Sequence, residues 1–225
     1  MIDVLGLTVH LYGLLIGLGV WVGLELSQRI YPKFKKEIED AFFWALIPGL
    51  LGARLYHVID FWDRYYRDSL WKIFAFWEGG LGIWGAIAGV VIGLYIYSMV
   101  RKINMWSLLG SFAVGAPVAQ AIGRLGNFVN GELYGKNGEP LFAYESILNL
   151  ILFVILWNAA KRTRKGGNLF GIYLAGYGLI RVLLEGMRPN EIIWRVGEIP
   201  VAIIFGCLAI AIGAWIASGR ARDSQ

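Results

Sequence analysis

The chain alternates between long apolar stretches and short polar connections. Seven stretches reach the roughly 20 mostly apolar residues that a helix needs to cross a bilayer core of about 30 Å. They run roughly Leu5–Leu26, Ala41–Phe61, Gly80–Val100, Trp106–Ile122, Phe142–Ala160, Leu169–Leu184 and Ile199–Ala217. The fourth and sixth are short or polar at one end. No internal repeat, low-complexity segment or long linker divides the chain. The pattern predicts an all-α polytopic membrane protein, one integral membrane domain over residues 1–225, with a reduced outer loop region around residues 123–141.

Composition agrees. Hydrophobic residues make up 57% of the chain and charged residues 16%, against about 25% charged in soluble domains. A net charge of +5 would suit nucleic acid, but the cations sit in short connections between apolar runs, so no nucleic-acid partner is expected. Arg29, Lys33, Lys35, Lys36, Arg101, Lys102, Lys161, Arg162, Arg164, Lys165, Arg220 and Arg222 fall on one side. Arg64, Arg67, Lys72, Arg124, Lys136, Arg188 and Arg195 fall on the other. This bias of 12 against 7 places the N-terminus outside and the C-terminus in the cytoplasm. The first stretch lacks a charged leader and a cleavage site, so it is expected to stay as an anchor. Cys207 is the only cysteine; it excludes an intramolecular disulfide and reads as a small core hydrophobe. His10 and His57 stand apart, without companions at metal spacing, and read as interfacial or core residues.

Polar groups at membrane depth are costly and mark function. Arg124, Asn127, Asn130 and Glu132 fall within nine residues at the end of an apolar run. Arginine offers a planar fork suited to phosphate, asparagine offers neutral donors, and Gly123, Gly126 and Gly131 let the backbone approach a ligand. The bland alternative is an Arg124–Glu132 ion pair closing a helix end. Tyr177, Arg181, Glu185 and Arg188 are spaced four, four and three, and share one helix face. The bland alternative there is an i,i+4 pair of Arg181 with Glu185. Two arginine clusters on one predicted side would converge on one anionic group. Glu145 opens the fifth stretch, Arg54 and Tyr56 lie in the second and Tyr12 in the first; each alone is more often structural. The glycine-rich run from Trp77 to Gly85 suits close helix packing.

The stretch from Gly123 to Gly135, GRLGNFVNGELYG, resembles the signature of the prolipoprotein diacylglyceryl transferases. Leu11-Tyr12-Gly13-Leu14, Gly52-Ala53-Arg54-Leu55, Trp77-Glu78-Gly79-Gly80-Leu81, Leu141 to Ser146, and Tyr177 to Arg181 with Glu185 and Arg188-Pro189 are similar to further family elements, in family order. The resemblance implies a multi-pass enzyme of the bacterial inner membrane with its site toward the outer leaflet. It would move the diacylglyceryl group of phosphatidylglycerol to the lipobox cysteine of a prolipoprotein, the first step of lipoprotein maturation. It implies no metal or organic cofactor, and catalytic roles for Arg124, Arg181, Glu132 and Tyr12. Asn127, Asn130, Tyr177, Glu185, Arg188, Glu145, Arg54, Gly80 and Trp84 become candidate substrate-binding residues. The chain departs from the pattern in two places. Trp84-Gly85-Ala86 stands where some members carry His-Gly-Gly, so the thiol proton needs another acceptor. The segment between Gly135 and Leu141 is short, which reduces the outer head region. Two rival readings remain: a lipid transporter, disfavoured by the lack of an inverted repeat, and an inactive homologue that binds lipid or lipoprotein precursors.

Overall fold

The computed structural model describes residues 2–4, 7–9, 11–163 and 165–220. His10, Arg164 and Arg222 lie outside the described residues. Among the described residues seven helical spans are long and apolar enough to cross a membrane: α1 (Leu11–Ile30), α2 (Lys35–Asp60), α3 (Ile83–Arg101), α4 (Met105–Val129), α5 (Leu141–Arg162), α6 (Gly166–Glu185) and α7 (Val201–Trp215), the last with a helical continuation that brings its span to Gly219. Two short hairpins accompany them, β1 (Ile2–Val4) with β2 (Leu7–Val9), and β3 (Arg195–Val196) with β4 (Ile199–Pro200). The all-α expectation holds, and the corrections lie at the helix ends. The first predicted stretch, from Leu5, opens with β2, where β-branched Thr8 and Val9 favour extended backbone, and its helix starts at Leu11. The fourth does not stop at Ile122: α4 runs on through Arg124 and Asn127 to Val129. Hydropathy marks where side chains turn polar, whereas helical hydrogen bonding continues as long as those side chains find polar partners.

The chain divides into two compact units, residues 1–35 with 109–225, and residues 36–108. In the second unit, α2 and α3 pack backbone to backbone. A Cβ on Gly85 would strike the Gly52 carbonyl, one on Gly89 the Pro48 carbonyl, and one on Gly93 the Trp44 carbonyl. Lipid tails are as apolar as leucine, so such helices associate through close van der Waals contact that only small residues permit. Gly89→Leu should therefore force α2 and α3 apart. We expect it to lower stability by at least the 1–3 kcal/mol typical of overpacking. An unchanged unfolding midpoint in detergent would show that this contact does not hold the pair.

The first unit contains α1, nearly all of α4, and α5 to α7. Its core gathers Val114 of α4, Leu141, Leu152 and Leu156 of α5, and Leu169 and Ile180 of α6. Small residues again set the helix contacts: Gly171 and Gly178 of α6 meet Gly213 and Gly206 of α7. Cys207 is exposed on α7 rather than buried, because the glycine face of α7 does the packing and its other apolar faces are left outside.

Candidate active site

Arg124 lies near the end of α4, which delivers it into the first unit. Its Nη2 donates to Glu145 Oε1 of α5 at 2.7 Å. Its Nη1 donates to Asn127 Oδ1 at 3.2 Å, one turn further along α4. Asn127 Nδ2 then donates to Glu132 Oε2 at 3.2 Å, and Asn130 Nδ2 approaches Glu132 Oε1 at 3.4 Å. The anticipated Arg124–Glu132 pair is thus replaced by a relay: the arginine faces Glu145, and Asn127 bridges toward Glu132. At Gly126 a Cβ would meet the Tyr12 ring. That contact brings Tyr12 of α1 beside the motif. Past α4 the chain turns sharply, with φ of 69° at Gly131 and 64° at Leu133.

The second constellation joins the first through Glu145. Arg181 Nη1 lies 4.0 Å from Glu145 Oε2, and Arg181 Nη2 donates to Glu185 Oε2 at 3.2 Å. Arg188 Nη1 lies 3.7 Å from the same Glu185 oxygen. The helix ends at Glu185, so Arg188 sits in the following turn rather than on the helix face. That turn is tied to the stretch after Glu132, since Lys136 N donates to Met187 O at 2.8 Å and Lys136 Nζ to Gly186 O at 3.2 Å. Burial, with the Arg181 guanidinium next, pulls the Arg188 pKa below the ordinary arginine value.

The ion-pair cluster therefore joins three guanidiniums, of Arg124, Arg181 and Arg188, to two carboxylates, of Glu145 and Glu185. Both glutamate side chains are almost fully buried, whereas each arginine side chain keeps about a quarter or a fifth of its surface. One positive charge is left over. Arg124 Nε is in addition a buried donor with no hydrogen-bond partner, a state that costs about 1–3 kcal/mol. The cluster thus carries a surplus of one cation over its paired carboxylates. Tyr177 stands next to the Arg124 guanidinium and stacks on Tyr173, with ring centroids 6.1 Å apart.

The structure thus gathers Arg124, Arg181, Glu132, Asn127, Asn130, Glu145, Glu185, Arg188, Tyr177 and Tyr12 within the first unit. Arg54, Gly80 and Trp84 belong to the second. All five N–H donors of Arg54 are engaged by backbone carbonyls: Nε by Ile73 at 3.0 Å, Nη1 by Gly79 and by Gly80 at 3.1 Å, and Nη2 by Lys72 and by Ala75 at 2.8 Å. A guanidinium has five donors and no more, so Arg54 organises a loop and has nothing left for a phosphate. Gly80 serves the same loop, with φ of 71° and the Arg54 and His57 side chains pressed where a Cβ would stand. Trp84 is partly exposed in the first turn of α3. Sequence reasoning undervalued Glu145, the hub of the cluster, and missed Asn149, whose Nδ2 donates to the Glu145 carbonyl at 2.9 Å. An acidic residue and an asparagine one turn apart inside an apolar run were the available signal. Among the described residues no three His, Cys, Asp or Glu side chains come together as metal ligands.

Comparison with known proteins meets this geometry. The family model described as prolipoprotein diacylglyceryl transferase matches residues 1–218. Several proteins named phosphatidylglycerol–prolipoprotein diacylglyceryl transferase are similar. That of Listeria welshimeri is 33% identical, covering 92% of this chain and 83% of the relative. That of Thermosynechococcus vestitus is 31% identical, covering 93% and 87%. That of Halalkalibacterium halodurans is 36% identical, covering 82% and 73%.

Proposed function

The chain belongs to the prolipoprotein diacylglyceryl transferase family, and on that premise we propose how its own residues carry the reaction. It is a multi-pass membrane transferase of lipoprotein maturation, with phosphatidylglycerol and prolipoproteins as its substrates. In our reading the acceptor is a lipobox cysteine, the membrane is the bacterial inner membrane, and the site opens toward the outer leaflet with the C-terminus in the cytoplasm.

The acceptor thiolate attacks the glycerol carbon that carries the phosphate. A carbon–sulfur bond forms and the carbon–oxygen bond breaks. Glycerol phosphate leaves with the bonding electron pair and one more negative charge than the diester had. Arg124 and Arg181 receive that growing charge, and Arg188 adds to the positive field. Fixed donors aimed at developing charge are worth most where water is excluded. The carrying observation is the surplus guanidinium charge with an unpartnered Arg124 Nε.

The thiol proton needs an acceptor. Glu145 and Glu185 are held by arginines and make poor bases. Glu132 is exposed and is held only by two asparagine amides, so it is the carboxylate available for the task. Tyr12, against Gly126, shapes the wall beside the motif. A Trp84 indole can only donate, so it takes no proton. Glu132→Gln should slow transfer at neutral pH by about 10²-fold, the lower range of a general base, with activity recovering toward alkaline pH as the thiol ionises unaided. Trp84→Phe should leave transfer within a few-fold. A Glu132→Gln profile identical to the parent's would remove Glu132 from proton transfer.

Purified protein incubated with phosphatidylglycerol and a lipobox peptide tests the reading as a whole. Peptide mass should rise by one diacylglyceryl group. Retention of phosphatidylglycerol without any mass gain would favour the lipid-binding homologue instead, the alternative that Trp84 in place of histidine keeps open.

A further inference from the structure

The connection between α2 and α3 looks from sequence like an aqueous loop, yet its placement argues otherwise. The lipid-facing stripe of α2 consists of Phe43, Ile47, Leu51, Leu55 and Ile59, one per turn and each more than half exposed. It follows the charged first turns at Lys35, Lys36, Glu37, Glu39 and Asp40 and reaches almost to the end of the helix. From Ala41, a hydrocarbon core of about 30 Å at 1.5 Å per residue extends to about residue 60. Arg54 lies six residues below that end, about 9 Å inside. It nonetheless holds the carbonyls of Lys72, Ile73, Ala75, Gly79 and Gly80, and Gly82 N donates to Ala53 O at 2.9 Å. The connection is therefore pulled down along α2 to the level of residues 53 and 54.

Two further observations fix the level. A cleft of about 300 Å³ between α2 and α3 is lined by Leu46, Leu50, Ala53, Leu81, Ile83 and Val90. Leu81 and Ile83 thus face the middle of α2. The outward side chains are those of a lipid contact: Leu70, Trp71, Phe74 and Trp77 are 58%, 60%, 66% and 71% exposed. Only two charged side chains occur between residues 70 and 82, and both lead back to Tyr65 near the charged start of the connection. Lys72 Nζ lies 4.2 Å from the Tyr65 ring centroid, and Glu78 accepts from the Tyr65 hydroxyl at 3.0 Å.

We propose that residues 70–82 form a re-entrant segment immersed in the outer part of the lipid, with Arg54 as the carbonyl cap that lets irregular backbone lie there. In hydrocarbon no water satisfies a carbonyl, so non-helical backbone needs a protein donor for each one. One arginine supplies five from a single point. The partner of this surface is the acyl and glycerol region of membrane lipid. The proposal rests on the membrane-spanning fold and not on the transfer reaction.

The test is aqueous accessibility in membrane fragments open on both sides. Single cysteines are placed on a Cys207→Ser background by Trp71→Cys, Phe74→Cys and Trp77→Cys, with Asp63→Cys and Asp68→Cys as controls. A charged, membrane-impermeant maleimide should label the first three at least tenfold more slowly than the controls. Any smaller difference overturns the immersion. The parent protein gives an independent reading: hydroxyl-radical oxidation of Trp71 and Trp77 should rise at least tenfold when the membranes are dissolved in denaturing detergent, and equal rates before and after overturn the proposal. Arg54→Lys offers three donors for five carbonyls. It should raise labelling of Trp77→Cys severalfold and leave an Ile47→Cys control unlabelled. A rise at both positions, or at neither, removes Arg54 as the cap.

Discussion

Arg124→Ala abolishes transfer to the limit of detection, a loss of at least about 10²–10³-fold in kcat, the usual consequence of deleting one donor from a charge-stabilising site. The reason is its double engagement. One edge of the guanidinium is fixed by Glu145 at 2.7 Å and Asn127 at 3.2 Å, while Nε stays buried and unpartnered. The held edge sets the direction, and the unused donor is what the leaving phosphate would take. Arg124→Lys keeps the charge but lacks the planar fork, so it restores only a small fraction of activity. Arg181→Ala should behave alike, since Arg181 faces the second oxygen of Glu145. Initial rates with phosphatidylglycerol in detergent, with melting curves as a control for folding, decide this. Full activity in both alanine variants would remove the phosphate site from this cluster.

Glu145→Leu has the largest expected effect on stability. Its carboxylate is only 2% exposed and answers two guanidiniums from two other helices. Deleting it leaves Arg124 without a carboxylate partner, beside an Arg181 that keeps only Glu185, and breaking a buried pair in this way costs about 3–5 kcal/mol. A denaturant titration should show the loss directly, and transfer should fall with it. The double variant Glu145→Leu with Arg181→Leu should regain part of that stability, because it removes the cation that would then repel Arg124. If the single variant is as stable as the parent, Glu145 is not the electrostatic centre that the distances suggest.

Much of this architecture was legible in the sequence because membrane spans are written in length and hydropathy, and all seven helices were found. What hydropathy could not see was continuation through polar residues. Arg124 and Asn127 look like the end of a span, but α4 carries them one and a half turns further because Glu145 and Glu132 answer them. The two arginine groups were visible as motifs; their joint dependence on Glu145 was not, since nothing in a linear reading ties residue 145 to residues 124 and 181. Arg54 read on its own as structural and became a binding candidate only through the resemblance; backbone carbonyls take its every donor, a loop-holding role that no linear reading of residues 54 and 72–80 displays. Cys207 was expected inside because apolar residues usually are, but in a lipid-facing helix the small residues turn inward and the larger ones outward.

The glycine seam between α6 and α7 has a bearing on chemistry carried out by residues that α7 does not contribute. Gly171 and Gly178 face Gly213 and Gly206 with backbone close to backbone, and only the short Val182 and Ala209 side chains stand beside them, which leaves little to absorb a slide or a rotation. Arg181 and Glu185 ride on α6 and take their position from that seam. A site whose charged groups are anchored in this way has little rearranging to do as the leaving group gains charge, so the reorganisation that solvent would otherwise perform during the reaction has been completed during folding. α7 acts as a rail: none of the clustered charged groups sits on it, yet a single added methyl along it would shift the aim of an arginine on its neighbour.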